Sequence, residues 1–231
     1  MTKSNSTGSS KLQEQKSDRD FKAVIFDMDG VIVDSEPRHE RAFLEVVREI
    51  GYGETHGVRW ADWVGRSDHE LWLDFVARHR PAQSLEQLLK MKRDRVLEII
   101  RREEPIFAGL SELVENLSRV CKLGLASGSE RPVVEAVLSL QDLRRFFSAT
   151  VTASDIKRGK PAPDIFLRAA ELLSVAPGDC WVIEDSKPGV AAGLAAGMRV
   201  IAITNTHPAR ELRPATRVVA DYTEIQRFLL F

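Results

Sequence analysis

Five short apolar runs, at residues 23–26, 123–126, 151–153, 180–183 and 200–203, limit how this chain can fold more than any other feature. Each is too short for a helix and lacks polar alternation, which is the pattern of a strand buried on both faces. Helix-sized segments at 133–140, 164–173 and 189–196 lie between the later runs. The alternation predicts an α/β fold on a doubly wound parallel sheet, with helices covering both faces. Ligands of such sheets collect at the carboxyl ends of the strands.

One stretch interrupts the alternation. From 35 to 104 the apolar residues fall at helical spacing, first Ala42, Phe43, Val46, Val47 and Ile50, then Leu71, Trp72, Phe75 and Val76. A third stripe, Leu85, Leu88, Leu89, Val96, Ile99 and Ile100, has Lys90, Lys92, Arg93 and Arg95 beside it, which read as a solvated face. The expected organisation is therefore a polar, Ser-rich tail at 1–20 that stays disordered, a core made of 21–34 and 105–231, and an all-helical cap at 35–104. Turn-forming residues at 34–37 and 105–109 mark the two crossings, where a hinge would lie. Asp34 is expected to be a structural turn residue at that junction.

Composition excludes several functions. Lys+Arg 33 against Asp+Glu 34 leaves a net charge of −1, so no basic field points to nucleic acid or to a membrane surface. No apolar stretch approaches the ~20 residues of a membrane span, and the N-terminus lacks the apolar core of a secretory signal. Cys121 and Cys180 are too few for a disulfide scaffold and read as buried thiols in a reducing compartment. A cytoplasmic monomer acting on a small molecule is expected.

The residues that end the strand-like runs carry the chemistry. Asp27 and Asp29 follow the first, Ser127 the second, Lys160 the third, and Glu184 with Asp185 the fourth. A parallel sheet brings them to one edge, where two carboxylates ~4 Å apart at an effective dielectric near 20 repel by roughly 4 kcal/mol. One lysine does not balance four carboxylates, and all-oxygen ligands point to Mg²⁺. A carboxylate held there is a competent nucleophile toward phosphorus, and a second one two residues along can protonate the leaving oxygen. Asp27 and Asp29 fit that pair. Ser127, Gly128 and Ser129 lead into a helix start able to receive phosphoryl oxygens, and Lys160 can neutralise developing charge.

These motifs resemble a known family. VIFDMDGVIVDSE, LASGS, KPAPD and VIEDSKPGVAAGLAAGM look like the four motifs of the haloacid dehalogenase superfamily, in its order, over most of the chain. The resemblance implies a Rossmann-like core with a helical cap after the first motif, as in the phosphoglycolate phosphatase and β-phosphoglucomutase branch. It implies Asp27 as nucleophile and Asp29 as general acid and base, with the Asp29 backbone carbonyl also on the metal. Asp185 becomes a metal ligand, Glu184 a second ligand or the holder of a metal-bound water, and Ser127 and Lys160 phosphoryl binders.

Dehalogenases proper lack the second aspartate, so Asp29 favours phosphoryl chemistry, and no cap lysine is identified for the Schiff base of the related phosphonatases. A β-phosphoglucomutase-like reading needs cap cations. Aligning its glycine with Gly65 puts Val64 and Asp68 at the charged positions, only Arg66 compensates, and Glu130 and Arg131 stand where Lys-Asn is expected. Asp68 would repel a distal phosphate, so hydrolysis of a small phosphorylated metabolite, a sugar phosphate or phosphoglycolate-like compound, is the expected activity. A receiver-like phospho-aspartate switch is disfavoured by the helical insertion. Glu36, His39 and Arg66 are the specificity candidates, with Trp60, Trp63, Ser67, Asp68 and His69 near the same loop, the two tryptophans read mainly as cap core.

Overall fold

The computed structural model describes residues 20–63 and 67–231. Six parallel strands form one sheet: β1 (Ala23–Phe26), β2 (Lys122–Ala126), β3 (Phe147–Val151), β4 (Cys180–Glu184), β5 (Arg199–Ile203) and β6 (Arg217–Val219). Their spatial order is β3-β2-β1-β4-β5-β6, the Rossmann-like doubly wound arrangement in which the direction of winding reverses beside β1. Phe26, at the end of β1, pairs with Leu125 on one side and with Ile183 on the other. The three strand ends thus meet at one edge of the sheet.

All four β1 residues are buried, because alternate side chains enter different layers. Val24 and Phe26 pack with Leu123, Leu125, Trp181 and Ile183 beneath helices α4 (Leu110–Ser118), α5 (Arg131–Ser139) and α8 (Tyr222–Leu230). Ala23 and Ile25 pack on the opposite face against α6 (Asp164–Leu173) and α7 (Lys187–Ala195). Among the described residues no helix is long and apolar enough to cross a membrane. Both cysteines are free, Cys180 buried and Cys121 half-buried.

Among the described residues, 35–104 hold three α-helices: α1 (Glu36–Glu49), α2 (Asp68–His79) and α3 (Leu85–Glu103). Ser67 and Ser84 cap the starts of α2 and α3 in reciprocal boxes with Glu70 and Gln87. Phe43, Val46, Val47, Leu71, Trp72, Phe75 and Leu88 form a separate apolar cluster, against which Trp60 and Trp63 pack. The 19-residue α3, about 28 Å long, joins two cores: Leu88 belongs to the helical cluster, while Val96, Ile99 and Ile100 pack with the sheet. The crossing segments are held to each other. Val33 and Ile106 form an antiparallel bridge, Asp34 N–H donates to the Pro105 carbonyl at 2.9 Å, and Phe107 N–H donates to that of Ile32 at 3.2 Å. Asp34 accepts from Arg38 Nη1 at 2.6 Å.

Two readings of the sequence need correction. The run at 151–153 is not a strand: only Val151 belongs to β3, and Ala153–Asp155 is a 3-10 turn. As an edge strand β3 alternates buried and exposed residues, so it lacks the continuous apolar run of its neighbours. Lys92 is not on a solvated face. It lies four residues from both Leu88 and Val96, on the apolar stripe of α3, and is fully buried. Lys90 and Arg93 are paired with Asp94 and Glu130, while Arg95 reaches Glu45 and Glu49. The tail expected at 1–20 lies outside the described residues except for Asp20.

Phe75 is fully buried and meets Phe43, Tyr52, Trp72 and His79 with ring centroids 6.3, 5.2, 5.3 and 4.5 Å away. Phe75→Ala is expected to destabilise the helical segment by about 3–5 kcal/mol. The measurement is urea unfolding followed by tryptophan fluorescence, and an unchanged midpoint would contradict the packing described.

Candidate active site

The sheet continues one residue past β1: the Asp27 N–H donates to the Ile183 carbonyl at 2.9 Å, which fixes the backbone of the first acidic residue against β4. Its side chain is nearly buried. Lys160, on the loop before α6, donates from Nζ to Asp27 Oδ1 at 2.5 Å and to Glu184 Oε1 at 2.7 Å. The Phe166 ring lies under the same ammonium, its centroid 5.0 Å away.

Glu184 ends β4 and is fully buried. Its second oxygen accepts from Asp185 N–H and Ser186 N–H, each at 2.8 Å, and from Ser186 Oγ at 2.9 Å. Ser186 also caps α7, accepting from Gly189 N–H at 3.1 Å. A Cβ at Gly189 would land on the Glu184 carboxylate, so the first turn of α7 approaches the acid only because that residue has no side chain. Asp185 is likewise enclosed. Gly30, at φ +79°, abuts its carboxylate, and the Thr206 hydroxyl donates to Oδ2.

Asp27, Glu184 and Asp185 each offer an oxygen within 4.8 Å of the others. Burial, together with the charges of Glu184, Asp185 and Asp29, raises the Asp27 pKa well above the usual carboxylate value, although Lys160 opposes it. Burial and the neighbouring Glu184 push Asp185 up to about 7. Burial works against the Lys160 ammonium, but Asp27 and Glu184 outweigh it and hold its pKa above the ordinary lysine value. Three carboxylates thus share one cation. The donor set is all oxygen and carries excess negative charge out of water, which fits a hard divalent ion.

Asp29 stands apart from this cluster. Its Oδ1 accepts from Ser35 Oγ at 2.6 Å, and its Oδ2 from Ser129 Oγ at 2.7 Å and Ser127 Oγ at 3.3 Å. The trio with oxygens mutually within 4.8 Å is thus Asp27, Glu184 and Asp185; Asp29, carried off by the turn between Met28 and Val33, meets hydroxyls, while its charge still acts on Asp27 and Asp185. Ser127 is buried, its N–H bonded to the Val151 carbonyl at 3.0 Å and its Oγ accepting from Ser129 N–H at 3.0 Å. Gly128 follows in the turn into α5, with open space where a Cβ would stand.

On the helical side, Trp60 Nε1 donates to Glu36 Oε1 at 2.8 Å. Burial raises the Glu36 pKa, and that N–H opposes the rise. His39 Nδ1 lies 3.1 Å from Lys92 Nζ, which is also paired with Asp68 and sits 5.4 Å from the Trp60 ring centroid. Burial and Lys92 lower the His39 pKa. Asp68, expected to stand as an uncompensated negative charge, is thus neutralised by a buried lysine. Ser67 serves as a helix cap and His69 is exposed. Arg66, with Val64 and Gly65, lies outside the described residues.

The sequence puts Lys92 on the wrong face and is silent on Ser35 and the 205–206 pair. Helical spacing was a usable signal for Lys92, since it shares a stripe with Leu88 and Val96. Nothing local announced the others, whose partners at Asp29, Gly30 and Asp185 are fixed by the fold.

A model of the haloacid dehalogenase-like hydrolases matches residues 21–197. Hexitol phosphatase B of Escherichia coli is 33% identical over 210 residues, covering 88% of this chain and 91% of its own length. Fructose-1-phosphate phosphatase of the same organism is 32% identical, with 78% and 95% covered. Among solved structures, β-phosphoglucomutase from Clostridium difficile superposes with a TM-score of 0.70 at 26% identity, over 90% of this chain and 97% of that one. With the motif residues converging on one sheet edge and the family match spanning most of the sequence, the chain belongs to the haloacid dehalogenase-like hydrolases.

Proposed function

We propose that this chain is a Mg²⁺-dependent phosphatase of small phosphorylated carbohydrates, with the phosphoryl group passing through Asp27. One observation carries the reading: Asp27 and Asp29, two residues apart, are given different partners. Asp27 lies with an ammonium and two further carboxylates, whereas Asp29 is held by three serine hydroxyls. That division suits a nucleophile on one side and a proton carrier on the other.

In this reading Asp27 attacks phosphorus and forms an aspartyl phosphate while Asp29 gives its proton to the departing alkoxide. Asp29 then takes a proton from water, whose oxygen attacks the same phosphorus and releases inorganic phosphate, restoring the Asp27 carboxylate. The Ser127 hydroxyl, the Gly128 N–H and the Lys160 ammonium receive the non-bridging oxygens. Asp27, Asp185 and the Asp29 backbone carbonyl would hold Mg²⁺, which when bound supplies counter-charge to the carboxylates and to the phosphoryl oxygens. Both Glu184 oxygens already accept from this chain's own donors, which supports an outer role for that residue.

Residues 35–104 act as the cap over a core of 21–34 and 105–231; Glu36 and His39, half-buried at the start of α1, are its candidates for substrate selection, with Arg66 a candidate by sequence alone. The names of the hexitol and fructose-1-phosphate phosphatases support a hexitol or hexose phosphate as substrate. A mutase would need cations for a second phosphate. Lys92 is spent on Asp68, Arg93 on Glu130 and Arg131 on Asp155, so among these described residues none is left for that purpose. Hydrolysis is favoured.

Asp27→Asn is expected to reduce turnover of a sugar phosphate to background without lowering the melting temperature, since an amide cannot attack phosphorus and the uncatalysed reaction is extremely slow. Activity of more than a few percent in a preparation free of wild-type enzyme would refute the nucleophile. Asp29→Asn is expected to slow turnover by about 10²–10⁴-fold, the usual worth of a general acid or base, while Mg²⁺ binding persists. Equal loss of Mg²⁺ affinity in Asp29→Asn and Asp185→Ala would contradict the division of roles. With β-glucose 1-phosphate, a trace of the 1,6-bisphosphate and Mg²⁺, inorganic phosphate should appear faster than glucose 6-phosphate. Rapid isomerisation without phosphate release would make the enzyme a mutase.

A further inference from the structure

We propose that Thr206 is a positioning residue for the cation site: its hydroxyl holds one oxygen of Asp185 so that the other is presented to the ion, and this sets the affinity for Mg²⁺. The inference rests on the proposed reading in which Asp27, Asp185 and the Asp29 carbonyl hold a divalent cation.

The starting point is topological. β5 lies next to β4, so the segment leaving its carboxyl end at Ile203 overhangs the acidic cluster at the end of β4. That segment is fastened from below. Thr204 N–H donates to the Val219 carbonyl at 3.1 Å. Asn205 Nδ2 donates to the Gly30 carbonyl at 2.8 Å and to Tyr222 Oη at 2.9 Å, and Tyr222 Oη donates to the Val31 carbonyl at 2.6 Å. Asn205 therefore ties the segment to the turn that follows β1, the same turn that places Asp29.

With its neighbour tied, Thr206 has a defined place. Its hydroxyl donates to Asp185 Oδ2. A hydroxyl has one proton to give, so with that proton on Asp185 the contact with His207 Nδ1, at 2.9 Å, is completed by an N–H of the imidazole. On the other side stands Gly30, where a Cβ would strike both the Asp185 carboxylate and Thr206 Cγ2. Asp185 is thus wedged between a glycine and a hydroxyl donor. Its neighbour Glu184 is a like charge, and without a fixed donor the carboxylate would be free to turn away from it. Partners of this kind orient a ligating carboxylate and typically change metal affinity by about 10–100-fold when removed.

The test is a calorimetric titration of MgCl₂ into protein treated with EDTA and dialysed. Wild type is expected to bind, Thr206→Val to bind about 10–100-fold more weakly, and Thr206→Ser, which keeps the hydroxyl, to remain close to wild type. Without metal all three should melt at the same temperature, and at saturating Mg²⁺ the kcat of Thr206→Val should return toward the wild-type value. Unchanged Mg²⁺ affinity in Thr206→Val would overturn the proposal, as would equal losses in the Val and Ser variants. A lowered metal-free melting temperature with unchanged affinity would make Thr206 merely structural and equally overturn it. If wild type itself takes up no Mg²⁺, the cation-site reading fails and this inference falls with it, a result distinct from the other two.

Discussion

Lys160 brings a single ammonium to hydrogen-bonding distance of two buried carboxylates, Asp27 and Glu184, while Asp185 stands beside them. Much of the surrounding structure exists to make that crowding tolerable. Backbone N–H groups at the start of α7 and the Ser186 hydroxyl serve the Glu184 oxygen that Lys160 does not reach. The exposed N–H groups and dipole of a helix start favour negative charge at that place. Gly189 and Gly30 are glycines because the acids occupy the space their side chains would need. The neighbouring order of β1 and β4 is what forces the acids together, so the site is a consequence of the winding of the sheet as much as of its residues.

The opposite wall obeys a different rule. There, among the described residues, several charges are paired: Asp68 with Lys92, Glu103 with Arg38 and Arg41, and Arg93 across to Glu130, while Glu36 is met by the Trp60 N–H. Burying Lys92 without a partner would cost several kcal/mol, and the Asp68 carboxylate offsets that cost. The core side therefore crowds three carboxylates on one ammonium, whereas the buried lysine of the helical side has its own carboxylate. A phosphorylated substrate between them would find its electrostatic pull concentrated at one end.

The parts of this molecule legible in the sequence were those with a local period. β1, β4 and β5 read as apolar runs because both their faces are covered, and α1, α2 and α3 as stripes because one face is. β3 lies ahead of the apolar run at 151–153 because an edge strand has only one covered face, and the three-residue β6 is too short to show a period. Of the site, Asp27, Ser127, Glu184 and Asp185 were legible because each ends a strand, where side chains must leave the sheet. The separation of Asp29 from Asp27 was not, because it depends on a turn closed by Gly30 and on hydroxyls from Ser35 and Ser129, the latter 100 positions away. The charge of Lys92 points to solvent, but its place on the stripe, four residues from Leu88 and from Val96, puts it in the interior.

The pairing of the two crossing segments also bears on how such a chain can change over time. Val33 and Ile106 lie side by side, so everything between them leaves and re-enters the sheet at a single point. The entropy of closing such an excursion grows only with the logarithm of its length, about 0.6 kcal/mol for each doubling. The helical segment also brings its own apolar cluster, so it does not draw on the sheet's layers for most of its packing. The connectivity of the sheet therefore sets little limit on what is spliced in at that point: the segment can be lengthened, shortened or exchanged while the strand ends that carry the acids keep their places, provided that the sheet-facing end of α3 and the Ser35 hydroxyl on Asp29 are kept.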